Sequence, residues 1–377
     1  LAPQDERIAP LLAAARARGT VVQGELALFV EALADLRAER GYAPRLLAVT
    51  GTNGKTTTTA LAAQLVARAG KRVAAAGNIG PTLLDTLAAA LRASEATEAT
   101  EATEAAEAAE AAEATEVEEA GLPEIWVLEL SSFQLDGVEG FEPDAAAVLN
   151  LTQDHLDWHG NMAAYAAAKA RIFGSKATLV INADDALVEA LVPAPMVSKT
   201  GRGKPVVTAR KVLRFGLSAP ARPGDFGLVE ENGMAWLVRA LPVDETLKKR
   251  KDEDDEIHLQ RLMPADALRV RGRHNAANAL AALALATAVG CPLAPMLHGL
   301  RDYGGEPHRV EFIGALDGVE AFDDSKGTNV GATVAALQGL GADKAPGRLL
   351  VILGGDGKGQ DFAPLAAPLQ RHARALA

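Results

Sequence analysis

Apolar positions fall into short continuous runs, separated by longer segments whose apolar residues recur at helical spacing. Residues 46–50 form one such run and read as a buried strand. An alanine-rich segment with helical character follows over 57–69. The alternation continues with a short strand over 72–76 and a turn at 78–81 that opens a helix from Thr82. Strands are predicted over 125–130 and 145–149, a helix over 162–173 and a strand over 177–182. Such alternation predicts an α/β fold on a mostly parallel sheet. Ligands of such sheets bind beyond the C-terminal ends of the strands. The loops after Val49, Leu130 and Leu149 are therefore candidates for one shared site.

From 206 to 268 the pattern weakens into short strand-like pieces, interrupted by a charged, loop-like stretch over 248–256. A strong alanine-leucine helix is predicted over 274–289. A second βα alternation then begins. It comprises a strand over 319–322, a turn over 323–327, a helix from about Asn329 and a strand over 349–353. This restart predicts a separate α/β domain from near Pro307. Residues 7–18 read as a helix with no preceding strand, and 364–377 as at most one helix. Both ends therefore read as cut, the first residue being Leu1.

Composition narrows the picture. With 377 residues, 49% of them apolar, the chain accommodates two or three domains with sizeable cores. Its single cysteine, Cys291, excludes an internal disulfide framework and suits a reducing compartment. No signal peptide and no membrane-length apolar run is visible, so a cytoplasmic protein without a membrane partner is expected. The net charge of −11 is localised: ten of the 49 acidic residues lie between 94 and 120, leaving 39 acidic against 38 basic elsewhere. Nothing basic enough to imply nucleic acid remains. The acidic segment repeats glutamate every third residue, which spirals around a helix and leaves no apolar stripe. It reads as a low-complexity insertion, either a frayed solvated helix or a disordered loop.

The candidate chemistry starts at Gly51-Thr52-Asn53-Gly54-Lys55-Thr56-Thr57. Strand, glycine-punctuated turn, Lys-Thr and helix make a phosphate cradle: backbone N–H groups face the anion, the lysine adds charge and the hydroxyl can hold Mg²⁺. The common P-loop has four residues between its first glycine and the Gly-Lys pair. Here Gly51 stands only two residues before Gly54, and Val49 occupies the usual glycine position. Glu129, at a strand end, can reach a metal beside a nucleotide. The cluster Asp154-His155-Leu156-Asp157 follows another strand on the same edge, at spacings that are not a zinc pattern. Lys169 reads, from physics alone, as a helix-surface lysine. Arg309 can clamp phosphate. Asp324, Lys326 and Lys358 lie in loops after strands. Asn275 and Asn278 either read an adenine edge or cap the helix that follows.

Taken in order, these segments resemble the Mur ligase family. The resemblance is carried by Thr50-Gly-Thr-Asn-Gly-Lys-Thr56, Gly77-Asn-Ile-Gly80, Leu128-Glu-Leu-Ser-Ser-Phe-Gln-Leu135 and Asp154-His-Leu-Asp157. It continues with Tyr165-x-x-x-Lys169, Gly272-Arg-His-Asn-Ala-Ala-Asn278, Pro307-His-Arg309, Asp324-Ser-Lys-Gly-Thr-Asn329 and Gly354-Gly-Asp-Gly-Lys358. It covers nearly the whole chain outside the acidic insertion. It implies a remnant of a UDP-binding domain over 1–36, a central P-loop-type ATPase domain over 37–305 and the start of a Rossmann-like ligase domain over 306–377.

The implied reaction is ATP-dependent addition of D-glutamate to UDP-N-acetylmuramoyl-L-alanine through an acyl phosphate, in peptidoglycan synthesis. The Ser-Ser-Phe-Gln and Asp-Ser-Lys-Gly-Thr-Asn motifs favour this branch over a sister Mur ligase or a folylpolyglutamate synthase. A further alternative is an ATP-binding fragment without ligase activity. By the resemblance, the 51–57 loop holds ATP, with Lys55 and Thr56 on the β/γ-phosphates and Mg²⁺. Asn275 and Asn278 face adenine, Arg309 phosphate and Asp324 ribose. Thr56, Glu129, His155 and a carbamylated Lys169 serve two Mg²⁺ sites, and Lys55, Glu129, His155 and Lys169 form the catalytic set. Asn78 and His155 contact the muramoyl substrate, and Lys326, Thr328 and Lys358 belong to the substrate site, the last two on the D-glutamate carboxylate. A monomer is expected.

Overall fold

The computed structural model describes residues 7–107, 121–198, 206–243, 256–357 and 359–377. Most of the charged stretch 248–256 and the second half of the acidic insertion lie outside these residues.

Two helices come first, α1 (Ala9–Ala17) and α2 (Glu25–Arg40). The second escapes the sequence pattern. It buries Leu26, Phe29, Leu33 and Leu36 along one face, and ends at Gly41 in the left-handed conformation, φ 70°. It runs unbroken across residue 36 and packs into the core of the central sheet.

Strand β1 (Arg45–Thr50) leads into α3 (Lys55–Arg68), followed by β2 (Val73–Gly77) and α4 (Leu83–Glu107). Thus the first part of the acidic insertion continues α4. Next come β3 (Ile125–Glu129), α5 (Ser132–Leu135), β4 (Ala145–Val148), α6 (Leu156–His159) and α7 (Met162–Ala170). Then follow β5 (Thr178–Asn182), α8 (Ala186–Glu189) and an antiparallel pair, β6 (Met196–Ser198) and β7 (Val206–Thr208).

The weakly patterned region extends the central sheet with β8 (Val212–Phe215), β9 (Phe226–Glu231), β10 (Met234–Pro242) and β11 (Ile257–Pro264). β9 and β10 are joined through Asn232-Gly233, both at positive φ, which is a two-residue turn matched to strand twist. Helices α9 (Arg273–Ala288) and α10 (Leu293–Asp302) complete the central part.

Among the described residues the main sheet has the order β11-β10-β9-β8-β5-β4-β1-β3-β2. Its pairings are parallel from β2 to β9 and antiparallel at β9–β10 and β10–β11. The strand residues alternate between two cores, as a pleat requires. Leu47, Val49, Ile125, Val127, Ala145 and Ala147 face one core, with residues of α3, α9 and α10. Ala48, Trp126, Leu128, Ala146 and Val148 face the other, with α2 and α4. After β3 has inserted beside β1, the chain crosses to β1's other edge as β4. This switch sets Val49 against Glu129 and Thr50 against Val148, so the ends of β1, β3 and β4 open onto one crevice.

Residues beyond 306 depart from the expected βα alternation. β13 (Val319–Asp323) pairs antiparallel with an unforeseen β12 (Glu311–Leu316). The cause is Asp317-Gly318, with φ of 50° and 80°, a two-residue hairpin turn whose signal lies in plain view. Helix α11 (Val330–Asp343) follows, then β14 (Leu349–Val351), α12 (Ala366–His372) and β15 (Ala373–Leu376). The last segment is therefore not helix alone, because β15 returns parallel to β14 through a helical crossover. No helix among the described residues is long and apolar enough to cross a membrane.

Candidate active site

The turn from Gly51 to Gly54 joins β1 to α3 and is fastened to the exit of β4. Asn53 N–H donates to Asn150 Oδ1 at 2.8 Å, and Asn150 Nδ2 donates to the Asn53 carbonyl at 3.0 Å. Thr52 Oγ1 accepts from Thr152 N–H at 3.0 Å. Gly54 takes the helix N-cap position at φ 82°. A Cβ there would lie 2.5 Å from Asn278 Oδ1, so both conformation and space require glycine. The result is a helix start whose first N–H groups have no partner within the helix, the ordinary basis of an anion site.

Two lysines converge on one carbonyl. Lys55 Nζ donates to the carbonyls of Gly51, at 3.0 Å, and Thr52, at 2.8 Å. Lys169, far from a helix-surface residue, is 2% exposed. Its Nζ donates to the same Gly51 carbonyl at 2.8 Å and to Thr50 Oγ1 at 3.1 Å. The Tyr165 ring lies 4.8 Å from it, one helical turn earlier. Burial, reinforced by the Lys55 charge, holds Lys169 well below the ordinary lysine value. Burial also lowers Lys55, against the opposing pull of Glu129 and Asp154.

Glu129 ends β3 and is buried. Its Oε1 accepts from Asn78 Nδ2 at 2.9 Å, whereas Oε2 is buried without a hydrogen-bond partner. An orphaned carboxylate oxygen is costly in this setting, and a cation is the partner that removes the cost. The Glu129 carboxylate and the Thr56 hydroxyl are oxygen donors of the kind a hard metal ion takes, whereas the His155 imidazole is a softer donor. Thr56 Oγ1 accepts from Arg309 Nη2 at 2.7 Å, which brings the 306–377 part directly onto the loop. His155 is in a left-handed conformation, φ 52°, with its ring centroid 4.7 Å from that of Phe133 in an edge-to-face contact. Its Nε2 lies 3.5 Å from Asp154 Oδ2.

Beside the loop lies a cavity of about 330 Å³, walled by Gly54, Thr57, Asn275, Asn278, Arg309 and Asp324 among others. Asn278 Nδ2 donates to Asn275 Oδ1 at 3.1 Å, and Asn275 Nδ2 to the Arg271 carbonyl at 2.7 Å. Asp324 Oδ1 accepts from Val310 N–H at 3.2 Å, and burial raises its carboxyl despite the nearby Arg309. Lys326 also lines the cavity, whereas Thr328 does not. Lys358 lies outside the described residues. Sequence reasoning gave no role to Asn150, Thr152, Tyr165, His274 or Asn329. All five lie in or beside segments it had singled out, but nothing in one dimension shows that four of them meet the loop and that His274 lines the cavity beside it.

Residues 49–212 match the Mur ligase middle domain and residues 308–377 the Mur ligase glutamate ligase domain. The chain is 58% identical over 376 residues to the UDP-N-acetylmuramoylalanine--D-glutamate ligase of Albidiferax ferrireducens, covering 100% of this chain and 67% of that protein. The chain belongs to the Mur ligase family.

Proteins of the same name from a Polaromonas species and from Burkholderia pseudomallei are 58% and 55% identical, over 94% and 100% of this Mur ligase chain. It spans 55% and 68% of their lengths. The fold agrees with solved Mur ligases. MurF from Thermotoga maritima in complex with ADP superposes with a TM-score of 0.59 at 16% identity, over 94% of this chain and 71% of that one. MurC from the same organism gives 0.55 at 20% identity, over 99% and 69%.

Proposed function

We propose that this chain is the catalytic part of an ADP-forming acid–amino-acid ligase that adds D-glutamate to UDP-N-acetylmuramoyl-L-alanine in peptidoglycan synthesis. The relatives' shared name and their 55–58% identity support the choice of substrate. The observation that carries the chemistry is the meeting of Lys55, Lys169 and the unpaired Glu129 oxygen at one strand edge.

A carboxylate is a poor electrophile until one oxygen becomes a good leaving group. In this reading the substrate's alanyl carboxylate attacks the γ-phosphorus of ATP, and ADP departs. The amine of D-glutamate then adds to the acyl phosphate carbon. The tetrahedral intermediate loses a proton and expels inorganic phosphate, leaving the amide. Lys55 and the first N–H groups of α3 orient the β/γ-phosphates and offset charge that builds as the phosphoryl moves. Arg309 shifts its guanidinium from Thr56 to phosphate. Asn275 and Asn278 take adenine, and Asp324 takes ribose. Asn78, which holds Glu129, and His155 meet the muramoyl substrate. Lys326, Thr328 and Lys358 hold D-glutamate.

Mg²⁺ bound by Thr56, Glu129, His155 and Lys169 would neutralise phosphate charge. The lysine serves in this role only as its carbamate, an anion. Carbamylation needs a neutral amine, and burial together with Lys55 favours that form of Lys169. The proposed division is 1–36, 37–305 and 306–377, with α2 tying the first part to the second. A monomer in the cytoplasm follows from the same reading.

The test is phosphate release with ATP, Mg²⁺, UDP-N-acetylmuramoyl-L-alanine and a panel of amino acids. Release with D-glutamate alone is expected. Release with another amino acid and not D-glutamate refutes the substrate assignment. Nucleotide binding without release with any amino acid favours an ATP-binding fragment.

A further inference from the structure

The phosphate loop and α11 belong to different parts of the proposed division, yet a reciprocal amide pair joins them. Asn329 Nδ2 donates to Asn53 Oδ1 at 2.8 Å, and Asn53 Nδ2 donates to Asn329 Oδ1 at 3.2 Å. Asn329 is also the N-cap of α11, its Oδ1 accepting from Ala332 N–H at 2.9 Å. Asn53 in turn is clamped by Asn150 through both of its backbone groups. The chain Asn150–Asn53–Asn329–α11 therefore connects the exit of β4 to the start of a helix 276 residues beyond the loop.

A second observation points the same way. Gly331 stands in the first turn of α11, where a Cβ would lie 3.1 Å from Thr152 Oγ1 and 3.2 Å from Asn53 Nδ2. A glycine at this position lets the helix start approach the loop closely enough for the amides to meet. The pair acts on the nucleotide only through the loop: Asn53 sits two residues before Lys55, and its side chain turns toward Asn329.

We propose that Asn329 is a positioning residue for the phosphate loop, acting through Asn53, so that the 306–377 part sets the loop's affinity for ATP. This rests on the reading of the 51–57 loop as the ATP site. An amide pair is suited to the task because each partner both donates and accepts, so a misplaced Asn329 takes both bonds from the Asn53 side chain at once. It also carries no charge to compete with the phosphates.

The test is MgATP titration of the full chain by calorimetry, for the parent, Asn329→Ser, Asn53→Ser and the double variant. Serine is an N-cap as good as asparagine, so Asn329→Ser preserves α11 but is too short to reach Asn53. Each single variant is expected to weaken MgATP binding by about tenfold, and the double by little more than either single. That non-additivity marks a coupled pair. The unfolding midpoint of Asn329→Ser without nucleotide stays near that of the parent. In turnover the loss falls on the KM for ATP, with kcat changed less. The inference is overturned if Asn329→Ser binds MgATP within twofold of the parent, or if the two single effects multiply in the double variant. It is also overturned if the affinity loss merely tracks a lowered unfolding midpoint. Lys55→Ala separates the two levels. If it binds MgATP as tightly as the parent, the ATP-site reading fails and takes this inference with it. If it loses binding while Asn329→Ser does not, only the positioning role fails.

Discussion

His274 gives a quantitative handle on the nucleotide cavity. It occupies the first turn of α9, lines the cavity beside Asn275 and Asn278, and sits against Gly272 and Gly339. A Cβ on Gly339 would lie 3.1 Å from its Nδ1, which is buried and has no hydrogen-bond partner. Burial pulls its value down from 6.5 to about 4. The unfolded chain therefore takes up the proton first. Stability is full above pH 6.5 and is lost as pH falls toward 4. The gap corresponds to about 3 kcal/mol at full protonation, of which about 2 kcal/mol has gone by pH 5. Replacing His274 with phenylalanine keeps a ring of similar size and removes the titration. Urea unfolding at pH 7.5 and pH 5 checks this. The parent is expected to lose about 2 kcal/mol more than His274→Phe between the two values. Equal losses of stability in the two proteins would refute the burial argument.

Three further perturbations follow from the geometry. Lys169→Ala is expected to abolish phosphate release and to regain part of it with added short carboxylates, measured in the same assay; full activity without them excludes the lysine from the chemistry. Gly54→Ala forces a left-handed alanine, at about 1–2 kcal/mol, and drives a methyl into Asn278. MgATP affinity should fall at least tenfold, and an unchanged dissociation constant would mean that the loop moves freely. Replacing 98–120 with a short Gly/Ser linker should leave MgATP affinity within about twofold. The cut begins after residue 97 because Ser94 is buried and Glu95 pairs with Arg40. A large loss would show that the acidic segment supports the site.

The central α/β order is legible because its strands are buried on both faces and read as continuous apolar runs, bounded by turn residues. The sequence is least informative where the sheet turns antiparallel, since short half-exposed strands carry little periodicity. Two hairpin turns, Asn232-Gly233 and Asp317-Gly318, are legible in principle and mark where the parallel expectation ends. Lys169 shows a different limit. Six of the nine residues of α7 are alanine, so nothing local separates a buried lysine from a solvated one. Its burial is created by β1 and Tyr165, and only the family motif marks it in advance. Asn329 stands where the sequence predicts a helix to begin, and it caps that helix; its second set of bonds depends on a partner 276 residues away.

The charges at this strand edge cannot be balanced from within. Lys55 and Lys169 lose solvation and share the Gly51 carbonyl, and their hydrogen-bond partners are carbonyl and hydroxyl oxygens. Glu129 contributes attraction to both but is held by Asn78 at one oxygen. Turning it toward the lysines would strip Asn78 of its acceptor and bury a carboxylate in a lysine pair whose desolvation is not repaid by attraction alone. An anion arriving at the helix start compensates the buried Lys55 charge, and a cation satisfies the remaining Glu129 oxygen. Each ligand thus improves the site for the other, because each removes a charge imbalance that the other increases. Binding of phosphate and metal together should therefore raise the unfolding temperature by more than the sum of the separate effects. Thermal unfolding with MgADP, ADP plus chelator and Mg²⁺ alone measures this directly. Simple additivity of the two shifts would mean that the lysines and Glu129 do not sense one another through the site.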